Sequence, residues 1–486
     1  MAAPKASGSR RLVLVFCTWK TLLFLLTAFC PGPGYDTSAL ILTDASTHRY
    51  ANLESSSRLD HLVLNLFRWD ALYFVKAAER GLMFEQQWAF SPAFSQLLSV
   101  TTRFVFGTSE GSLWYYITTG IIVSTVCHCF SVLVLYKLLT LLTGAGRQQS
   151  RVPFVASVLH IFTPASLFLS SPYAEALFSL LNLTGMLCYA ESRAAANRAS
   201  INTREVAHKL GSGLLFAMAT AIRSNGLLSG LILLYDVARY LPQLFSMRIK
   251  VQDVCRVIVT CASGALIAIG FVGPQYLAYL DFCGTGNSTV RPWCKKSIPS
   301  IYSWVQSHYW NVGLFRYWTM SNLPLFLLAL PMLWLLVYSS VTTLRSGYAQ
   351  PLHGRPTVPH ASDTLESKHA PLVTCELPEL ALPQLVLAFA AATSFHVQII
   401  NRIASGYPIW YLTVAVWLVE DRSNKGQWAT RAMIMYSMIQ DFDKYGHIDA
   451  CFDCHLNSVL QYVPYHHLIA QLLHYGDYTH HDVKSR

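Results

Sequence analysis

Charged residues are scarce in this sequence. Asp, Glu, Lys and Arg make up 13% of its 486 residues, whereas a typical soluble domain has about 25%. Hydrophobic residues make up 53%, so the composition argues against a string of soluble domains and favours one polytopic membrane unit. The net charge of +10 is typical of basic flanks in an integral membrane protein. Basic patches interleaved with aromatic residues are missing, so no nucleic-acid partner is predicted.

A cysteine framework and internal repeats are also missing. The 12 cysteines are scattered, many of them inside apolar runs, where cysteine packs as a small hydrophobic residue. Neither a fixed-period repeat nor inverted halves are visible, which argues against a transporter. The short haem-like pattern C-x-x-C-H at Cys451–His455 has no second C-x-x-C and no cytochrome context, so neither a metal site nor a cofactor is predicted.

The first apolar run follows a basic N-terminus. Residues 1–11 end in two arginines, and the apolar run extends from Leu12 to Cys30 with Lys20 inside it. The run is not followed by a small-x-small cleavage site, so we predict an uncleaved anchor helix with residues 1–11 in the cytosol. Residues 31–85 then form the first luminal loop.

The apolar runs predict an all-α polytopic membrane protein with about 8–10 transmembrane helices within residues 12–419. Several runs are short or interrupted by proline, as expected where polar backbone lines a cavity. Residues 344–378 form a predicted cytosolic loop, and residues 420–486 form a polar, His-rich and loosely attached tail. The spans predicted after the anchor are Gln86–Phe106, Leu113–Leu142, Val152–Ser170, Tyr173–Ala190, Leu210–Tyr235, Val254–Leu280, Leu323–Thr343, Glu379–Ile400 and Ile403–Val419.

The predicted topology places two large loops on the same side of the membrane. An even number of spans separates the first luminal loop from residues 281–322. This second loop contains a glycosylation sequon at Asn287 and the cysteines Cys283 and Cys294, features that suit the lumen. One feature opposes this topology, because several arginines would lie in luminal loops, contrary to the positive-inside tendency: Arg147, Arg151, Arg193, Arg198 and Arg204.

An acidic residue interrupts the apolar face of a predicted helix. Ser57 is a typical N-cap and Gly81 a typical stop, so a helix is predicted over Arg58–Arg80. Asp70 then lies on the apolar stripe, and Arg68 cannot neutralise it because residues two apart in a helix do not face each other. A buried carboxylate is costly unless it is paired or hydrated. Either a helix break or an ion pair accommodates Asp70, or this carboxylate lies in a luminal cleft and takes the proton of an attacking hydroxyl.

Basic residues near the predicted interfaces are candidates for holding the phosphate of a lipid-linked donor, because a guanidinium group binds phosphate through two hydrogen bonds. Arg223 is the strongest candidate, since "RSNG" places a charge and two hydrogen-bonding side chains at the start of an apolar run. Arg402 and the pair Lys295 and Lys296 are the others. Each could alternatively snorkel to the interface or set the topology.

Two further stretches carry polar groups beside apolar segments. Glu175 in "SSPYAEALF" lies at the edge of a span, where an ionisable group is either functional or simply faces water. The aromatic-rich stretch Tyr302–Trp318 is either an interfacial belt or a sugar-binding platform on which Gln306 and Asn311 bond hydroxyl groups.

Several of these motifs occur in an order that resembles one enzyme family. They are "RWDA" at 68–71, "AERG" at 78–81, Glu85 before "FSP", "SPYAEALF" at 171–178, "IRSNG" at 222–226, "PWC" at 292–294, "YWNVG" at 309–313 and "HVQ" at 396–398. The ordered series, from about Arg11 to Trp417, resembles GPI mannosyltransferase 2, the family that adds the second mannose to glycosylphosphatidylinositol (GPI) precursors. The chain departs from the family after Val419, where it turns polar although family members typically end with another hydrophobic span.

The resemblance implies a GT-C-type glycosyltransferase of the endoplasmic reticulum membrane with a luminal active site. The implied donor is dolichyl phosphate mannose and the implied acceptor is the mono-mannosylated GPI precursor, joined in α-1,6 linkage with inversion at the anomeric carbon. GT-C enzymes typically carry a functional Asp in the first luminal loop, which here is Asp70. A metal is not required, since basic side chains can take the charge of the leaving phosphate. Candidate substrate contacts are Arg68, Trp69, Glu79, Glu85, Glu175, Arg223, Asn225, Gln306, Trp310, Asn311, Gln398 and Arg402.

Alternative functions stay open at this point. The chain could be another dolichol-dependent GT-C transferase that acts on protein or on N-glycan precursors, or a lipid or solute transporter. The sequence also leaves open whether a partner subunit is needed.

Overall fold

The computed structural model describes residues 6–29, 57–107, 112–143, 151–196, 200–246, 249–284, 291–348, 375–420 and 424–443. Over these residues the regular structure is helical. The α-helices in chain order are α1 Ala6–Phe29, α2 Arg58–Leu66, α3 Asp70–Arg80, α4 Glu85–Phe90, α5 Pro92–Phe106, α6 Leu113–Thr143, α7 Val152–Ile161, α8 Glu175–Ala196, α9 Thr203–Ile222, α10 Gly230–Ala238, α11 Leu241–Phe245, α12 Val251–Cys283, α13 Ile301–His308, α14 Leu323–Tyr348, α15 Leu382–Thr393, α16 Ile400–Ile403, α17 Ile409–Glu420 and α18 Lys425–Asp443.

Helix length and composition confirm the predicted all-α polytopic membrane protein. The hydrocarbon core of a bilayer requires about 20 residues of helix, so the shorter apolar helices cover only part of that thickness on their own. These are Val152–Ile161, Pro378–Thr393 and Ile409–Glu420. Within the described residues, four helices are long and apolar enough to cross a membrane: Gly8–Phe29, Leu113–Thr143, Val251–Cys283 and Met320–Ser346.

One end of the helix bundle carries the residues that the sequence marked as functional. Helix α8 begins at Glu175, which forms an ion pair of 2.9 Å with Arg223, the residue directly after α9. In the first half of α6, Ser124 Oγ donates to the backbone carbonyl of Tyr173 at 3.3 Å. Helices α6 and α8 therefore start at this end and α9 finishes there. We call it the site end.

The opposite end of the same helices carries a second set of ion pairs. Glu191 of α8 pairs with Lys137 of α6 at 2.7 Å and with Arg204 of α9 at 3.5 Å. We call this the far end of the bundle. Helices α6 and α8 thus run from the site end to the far end, and α9 runs back.

Helix α5 stays at the site end. Its first turn packs against α3, where the ring centroids of Phe94 and Phe74 are 5.4 Å apart. Its last residue, Phe106, stacks at 4.5 Å on Tyr115 in the first turn of α6. Both ends of α5 therefore lie at the site end, and the membrane span predicted over Gln86–Phe106 is wrong.

The segment predicted as one span over Leu210–Tyr235 makes two passes. Helix α9 ends at Ile222, a 3₁₀ turn follows over Ser224–Ser229, and α10 returns to the far end. There, Asp236 of α10 binds Lys209 of α9 at 2.5 Å. Compared with the prediction, α5 removes one pass and α10 adds one. The number of passes between the two large loops is therefore still even, and both loops remain on the same side of the bundle.

This helix order also moves the arginines that opposed the predicted topology. Arg193 near the end of α8 and Arg204 in the first turn of α9 lie at the far end, away from Glu175. Arg147 and Arg198 lie outside the described residues. Arg151 directly precedes α7, which follows the far-end terminus of α6. The three described arginines are therefore on the opposite side of the bundle from the candidate site.

Two bent segments interrupt the bundle. Residues 162–174 join α7 to α8 and residues 394–408 join α15 to α17, so the helices in these regions are shorter than predicted. The first segment is anchored by Lys20 of α1, whose ammonium group donates to the Ser166 carbonyl at 2.7 Å and to Ser170 Oγ at 2.6 Å. Polar groups of this non-helical backbone are thereby satisfied by the protein, as membrane depth requires.

Small residues allow close helix contact between α9 and α12. A Cβ atom on Gly270 would lie 2.3 Å from the carbonyl oxygen of Ala217, and one on Gly213 would lie 2.6 Å from Ser263 Cβ. Such backbone approach is typical of packed membrane helices, which associate through van der Waals contact. These contacts pack the second half of α9 against α12.

The second large loop and the tail contain further structure. Cys283 and Cys294 form a disulfide with Cα atoms 5.8 Å apart. Helix α18 in the tail packs against α17, and Asn401 Nδ2 donates to the hydroxyl of Tyr436 at 2.7 Å. The described part of the tail is therefore an attached helix and not the loose segment predicted from its polarity. Asn287 and the C-x-x-C-H pattern lie outside the described residues.

Candidate active site

The helix predicted over Arg58–Arg80 is broken just before Asp70. Helix α2 ends at Leu66 and α3 begins at Asp70, so the prediction of one continuous helix is wrong. The predicted N-cap is confirmed: Ser57 Oγ accepts from the Asp60 amide at 3.3 Å, and the Asp60 carboxylate accepts from the Ser57 amide at 3.1 Å. Helix α3 also ends at the predicted glycine.

The break depends on an unusual backbone at Trp69. Its φ of +52° lies in the left-handed region, which costs a bulky residue about 1–3 kcal/mol. The Trp69 ring stacks on Phe168 with centroids 5.9 Å apart, and the carbonyl of Arg68 accepts from the Tyr173 hydroxyl at 2.8 Å. These contacts with the first bent segment hold the break. They place Asp70 at the N-terminus of α3, where the helix dipole favours a carboxylate.

Four charged side chains meet at this break. Asp70 Oδ2 lies 2.6 Å from Arg402 Nη2, and the same nitrogen lies 3.1 Å from Glu175 Oε1. Arg223 Nη1 approaches that Glu175 oxygen at 2.9 Å. The cluster joins α3, α8, the end of α9 and the second bent segment, and its formal charges cancel. Within the described residues, His, Cys, Asp and Glu side chains do not form a group of three or more that could hold a metal ion.

Exposure distinguishes the two carboxylates. The side chain of Glu175 is 0% exposed, whereas that of Asp70 is 27% exposed. Glu175 Oε2 has no hydrogen-bond partner in the part of the chain that the structure describes. The negative charge of this buried carboxylate is balanced by Arg223 and Arg402. Asp70 is the carboxylate of this cluster that a substrate can reach.

Asp70 pairs with the distant Arg402 and not with the neighbouring Arg68. The Arg402 guanidinium lies over the Phe168 ring, 5.0 Å from its centroid. Arg68 is turned towards Asn65, whose side-chain oxygen accepts from Arg68 Nη2 at 2.9 Å. The prediction that Arg68 is not the partner of Asp70 is confirmed, although the physical reason is the helix break and not the spacing within a helix.

Arg223 lies beside two hydrogen-bonded tyrosines. Ser224 Oγ donates to the Tyr302 hydroxyl at 2.7 Å, and Asn225 Nδ2 donates to the Tyr407 hydroxyl at 3.1 Å. The Nε atoms of Arg223 and Arg402 are both buried without a hydrogen-bond partner among the described residues, but the Arg223 side chain is the more exposed of the two, at 18% against 11%. Arg223 can therefore make further hydrogen bonds, while Asn225 is already engaged with protein.

Glu85, predicted as a substrate contact, binds protein groups of the second large loop. Its side chain is 5% exposed. The carboxylate accepts three hydrogen bonds and faces one arginine: Trp293 Nε1 at 3.0 Å, Trp304 Nε1 at 3.1 Å, the Tyr309 hydroxyl at 3.0 Å and Arg291 Nε at 3.7 Å. Desolvation and this carboxylate raise the pKa of Tyr309, so its phenol remains a donor. Glu85 therefore ties the two large loops together.

Two other predicted contacts are also engaged by neighbouring side chains. Glu79 pairs with Lys76 at 2.9 Å within α3. Gln398 Oε1 accepts from the Tyr317 hydroxyl at 3.1 Å. Their polar groups are held by the protein in this state.

The remaining predicted contacts lie in the aromatic-rich stretch. The Trp310 ring packs edge-on against Phe90 of α4, with centroids 4.7 Å apart. Asn311 is exposed with a φ of +49°, and Gln306 is half-buried on α13. An aromatic wall beside an exposed amide is compatible with a sugar platform, which stays a prediction.

Sequence reasoning missed the aromatic residues that hold the charged cluster. Phe168 and Tyr173 lie under Arg402, and Tyr407 bonds the residue two positions after Arg223. Tyr173 had a sequence signal, because it stands in the "SPYAEALF" motif two residues before Glu175. Phe168 and Tyr407 lie in apolar stretches, where an aromatic residue is ordinary.

Comparisons with known proteins identify the family. The family model described as Mannosyltransferase (PIG-V) matches residues 9–456, which extends past Val419, where the sequence resemblance was predicted to end. GPI mannosyltransferase 2 of Aspergillus oryzae (strain ATCC 42149 / RIB 40) is 40% identical over 443 residues, covering 89% of this chain and 93% of the relative. GPI alpha-1,6-mannosyltransferase 2 of Cricetulus griseus is 30% identical over 432 residues, covering 79% of this chain and 83% of the relative. No solved structure matches the chain significantly. This chain therefore belongs to the PIG-V mannosyltransferase family and is a glycosyltransferase of the membrane.

Proposed function

We propose that this protein transfers mannose from dolichyl phosphate mannose to the first mannose of a GPI precursor at the luminal face of the endoplasmic reticulum membrane. The linkage formed is α-1,6, with inversion at the anomeric carbon. The relatives named GPI mannosyltransferase 2 and GPI alpha-1,6-mannosyltransferase 2 support this assignment. The observation that carries it is the partly exposed Asp70 carboxylate, oriented by Arg402 and facing outward from a buried cluster of charges.

Asp70 receives the proton of the acceptor in this mechanism. Arg402 binds Asp70 Oδ2, so Oδ1 can accept a hydrogen bond from the acceptor hydroxyl. The hydroxyl oxygen attacks the anomeric carbon while the bond from that carbon to the phosphate oxygen breaks. The proton passes to Asp70, and dolichyl phosphate leaves with the electron pair of the broken bond. A single displacement on a β-linked phosphate gives the α-mannoside.

Arg223 fits the donor phosphate better than Arg402 does. Arg402 binds both carboxylates of the cluster, whereas Arg223 binds Glu175, and the exposed fractions of the two side chains are 11% and 18%. A guanidinium with unused N–H groups can bind phosphate through two hydrogen bonds. Glu175 then acts as the buried counter-charge that holds both arginines in place.

An apolar cavity beside the second bent segment supports a lipid substrate. It has a volume of about 620 Å³ and lies between α14, α17 and α18. Asn401, which directly precedes Arg402, lines it together with Trp334, Trp417 and Trp428. A hydrocarbon chain in this cavity has its polar end close to the charged cluster.

Features of the loops support a luminal site. The disulfide between Cys283 and Cys294 belongs to the loop at the site end, and disulfides form in the lumen and not in the cytosol. The sequon at Asn287 lies between these cysteines. With this orientation Arg193 and Arg204 face the cytosol, as the positive-inside tendency favours.

Lipid analysis in cells that lack the enzyme tests the assignment. Such cells should accumulate a GPI lipid with one mannose, and expression of this chain should convert it and restore GPI-anchored proteins to the surface. Microsomes supplied with labelled dolichyl phosphate mannose should transfer the label to the one-mannose lipid. Accumulation of any other lipid, an N-glycan precursor included, rejects the assignment.

A further inference from the structure

The second large loop is hydrogen-bonded both to the first loop and to the segment that carries Arg223. On α13, Trp304 Nε1 donates to Glu85 Oε2 at 3.1 Å. Two residues earlier, the Tyr302 hydroxyl accepts from Ser224 Oγ at 2.7 Å. Residues two apart in a helix point to nearly opposite sides, so Glu85 and Ser224 hold α13 from its two faces.

Glu85 is the anchor on the first of these faces. Its carboxylate is 5% exposed, and a buried charge of this kind is stable only with several donors. Those donors all come from the second loop: Trp293, Trp304 and Tyr309. Trp293 precedes the disulfide-bonded Cys294, so the same carboxylate also fixes the covalently closed part of the loop. Glu85 is therefore a polar link between α13 and the first loop, beside the apolar contact of Phe90 with Trp310.

Tyr302 connects this position to the charged cluster. Its ring packs edge-on against Phe271 of α12 with centroids 6.2 Å apart, and its hydroxyl holds Ser224, the residue after Arg223. Arg223 itself lies between α9 and the 3₁₀ turn, with extended backbone at φ −146° and ψ 127°. The direction of its side chain is therefore set by contacts at this junction as well as by the pairing with Glu175.

We propose that Glu85 is a positioning residue, which sets the direction of the Arg223 guanidinium through α13 and the hydrogen bond between Tyr302 and Ser224. The inference rests on the proposed function, in which Arg223 binds the donor phosphate. Loss of the Glu85 carboxylate loosens α13 and raises KM for the donor. Asp70 keeps its direct ion pair with Arg402.

A double-mutant cycle measures this coupling in microsomes or in purified full-length enzyme. Glu85→Gln keeps the size of the side chain but offers one acceptor oxygen to three donors, and Tyr302→Phe removes the hydroxyl alone. We expect donor KM to rise about tenfold for Glu85→Gln and about fivefold for Tyr302→Phe, with the double variant close to Glu85→Gln, since both act on one path. The KM for the acceptor should change less than about twofold. If the rise in donor KM of the double variant equals the product of the two single rises, the two residues act independently and the inference is wrong.

Further variants separate positioning from folding. Trp304→Phe removes one donor and keeps the carboxylate. Its effect on donor KM should also be non-additive with that of Tyr302→Phe. It therefore replaces Glu85→Gln in the cycle if the Glu85→Gln protein does not accumulate. Glu376→Gln, an exposed carboxylate at the far end, is the matched control and should leave both KM values unchanged. Reduced protein amount with an unchanged donor KM overturns the inference. An unchanged donor KM in Arg223→Gln instead overturns the phosphate assignment, and the Glu85–Tyr302 cycle still reports whether the two residues are coupled.

Discussion

Arg402 and Asp70 are 332 positions apart in the chain, and their side chains are 2.6 Å apart in the structure. At the residue scale this contact gives the two carboxylates of the cluster different roles. Asp70 keeps one oxygen paired and stays reachable, while Glu175 is fully buried between two guanidinium groups. Removing one member of such a buried set leaves an uncompensated charge, which is strongly destabilising.

Asp70→Asn tests the proton acceptor. The amide keeps the shape of the side chain and an oxygen for Arg402 but cannot take up a proton, so kcat should fall at least about 100-fold with little change in donor KM. Mannosyl transfer in microsomes with matched protein amounts measures this. Asp60→Asn in the same loop, where the carboxylate caps α2, is the control and should keep kcat. Normal activity of both Asp70→Asn and Asp70→Ala would remove Asp70 from the mechanism.

The two arginines should respond differently to substitution. Arg223→Gln should raise donor KM about 10-fold or more, because it removes the group assigned to the phosphate. Arg402→Gln leaves Asp70 and the buried Glu175 with one arginine between them, so the amount of folded protein should fall as well as kcat. Donor KM and detergent-extracted protein amount distinguish the two. A raised donor KM in Arg402→Gln, with an unchanged donor KM in Arg223→Gln, would instead assign the phosphate to Arg402.

At the element scale, the site depends on places where helices stop. The break between α2 and α3 brings Asp70 to a helix N-terminus, and the bent segments 162–174 and 394–408 bring Glu175 and Arg402 to the same level. Each interruption is held by contacts with another element, such as the bond from Tyr173 to the carbonyl of Arg68. Regular helices alone could not bring these three groups together.

Substitutions at Trp69 separate backbone strain from ring packing. Trp69→Gly and Trp69→Ala both lose the stacking on Phe168, but glycine adopts the φ of +52° without steric cost. Trp69→Ala should therefore be less stable than Trp69→Gly by about 1 kcal/mol. Thermal unfolding of the purified variants in one detergent measures the difference. A glycine variant no more stable than the alanine variant would show that the strained backbone is not retained.

At the scale of the whole molecule, charge is concentrated at the two ends of the bundle. Glu175 and Arg193 are 18 positions apart on α8, which corresponds to about 27 Å at 1.5 Å per residue. At the far end, Asp236 binds Lys209 at 2.5 Å and Arg193 at 3.0 Å. This second cluster joins α8, α9 and α10, and it is separated from the chemistry by the length of the bundle.

Asp236→Asn should lower stability without changing the reaction. The side chains of Lys209 and Asp236 are 8% and 4% exposed, and loss of one partner of a buried pair costs about 3–5 kcal/mol. The amount of folded enzyme and its Tm should fall, whereas kcat per folded molecule should stay the same. A kcat loss at equal folded amount would show that the far end is coupled to the site.

The proposed orientation can be tested with glycosylation acceptors. Asn287, which stands between Cys283 and Cys294 in the sequence, should carry a glycan that endoglycosidase removes and that Asn287→Gln abolishes. Ser362→Asn completes an N-x-T acceptor between α14 and α15. It should remain unmodified, because Glu376, which follows this stretch, donates its amide to the Leu142 carbonyl at the far end. Modification at position 362 with none at 287 would reverse the orientation.

Local patterns predicted a large part of this protein. Hydropathy and scarce charge indicated an all-α membrane protein, the Ser57 cap was found at its predicted place, and Asp70 stood out because a carboxylate conflicts with an apolar stripe. These features depend on side-chain type and on a spacing of a few residues, which are readable along the chain. The ordered motifs added the family, which the comparisons confirm.

Long-range contacts account for the features that the patterns missed. The span predicted over Gln86–Phe106 failed because hydropathy does not distinguish a helix that crosses the membrane from one that lies against its neighbours at one end. The break at Trp69 is locally unfavourable by about 1–3 kcal/mol, so it exists through its packing against a segment about 100 positions away. The pairing of Asp70 with Arg402 likewise joins distant segments. Helix content and the unusual carboxylate follow from local energetics, whereas the geometry of the site follows from contacts that form when the bent segments pack together.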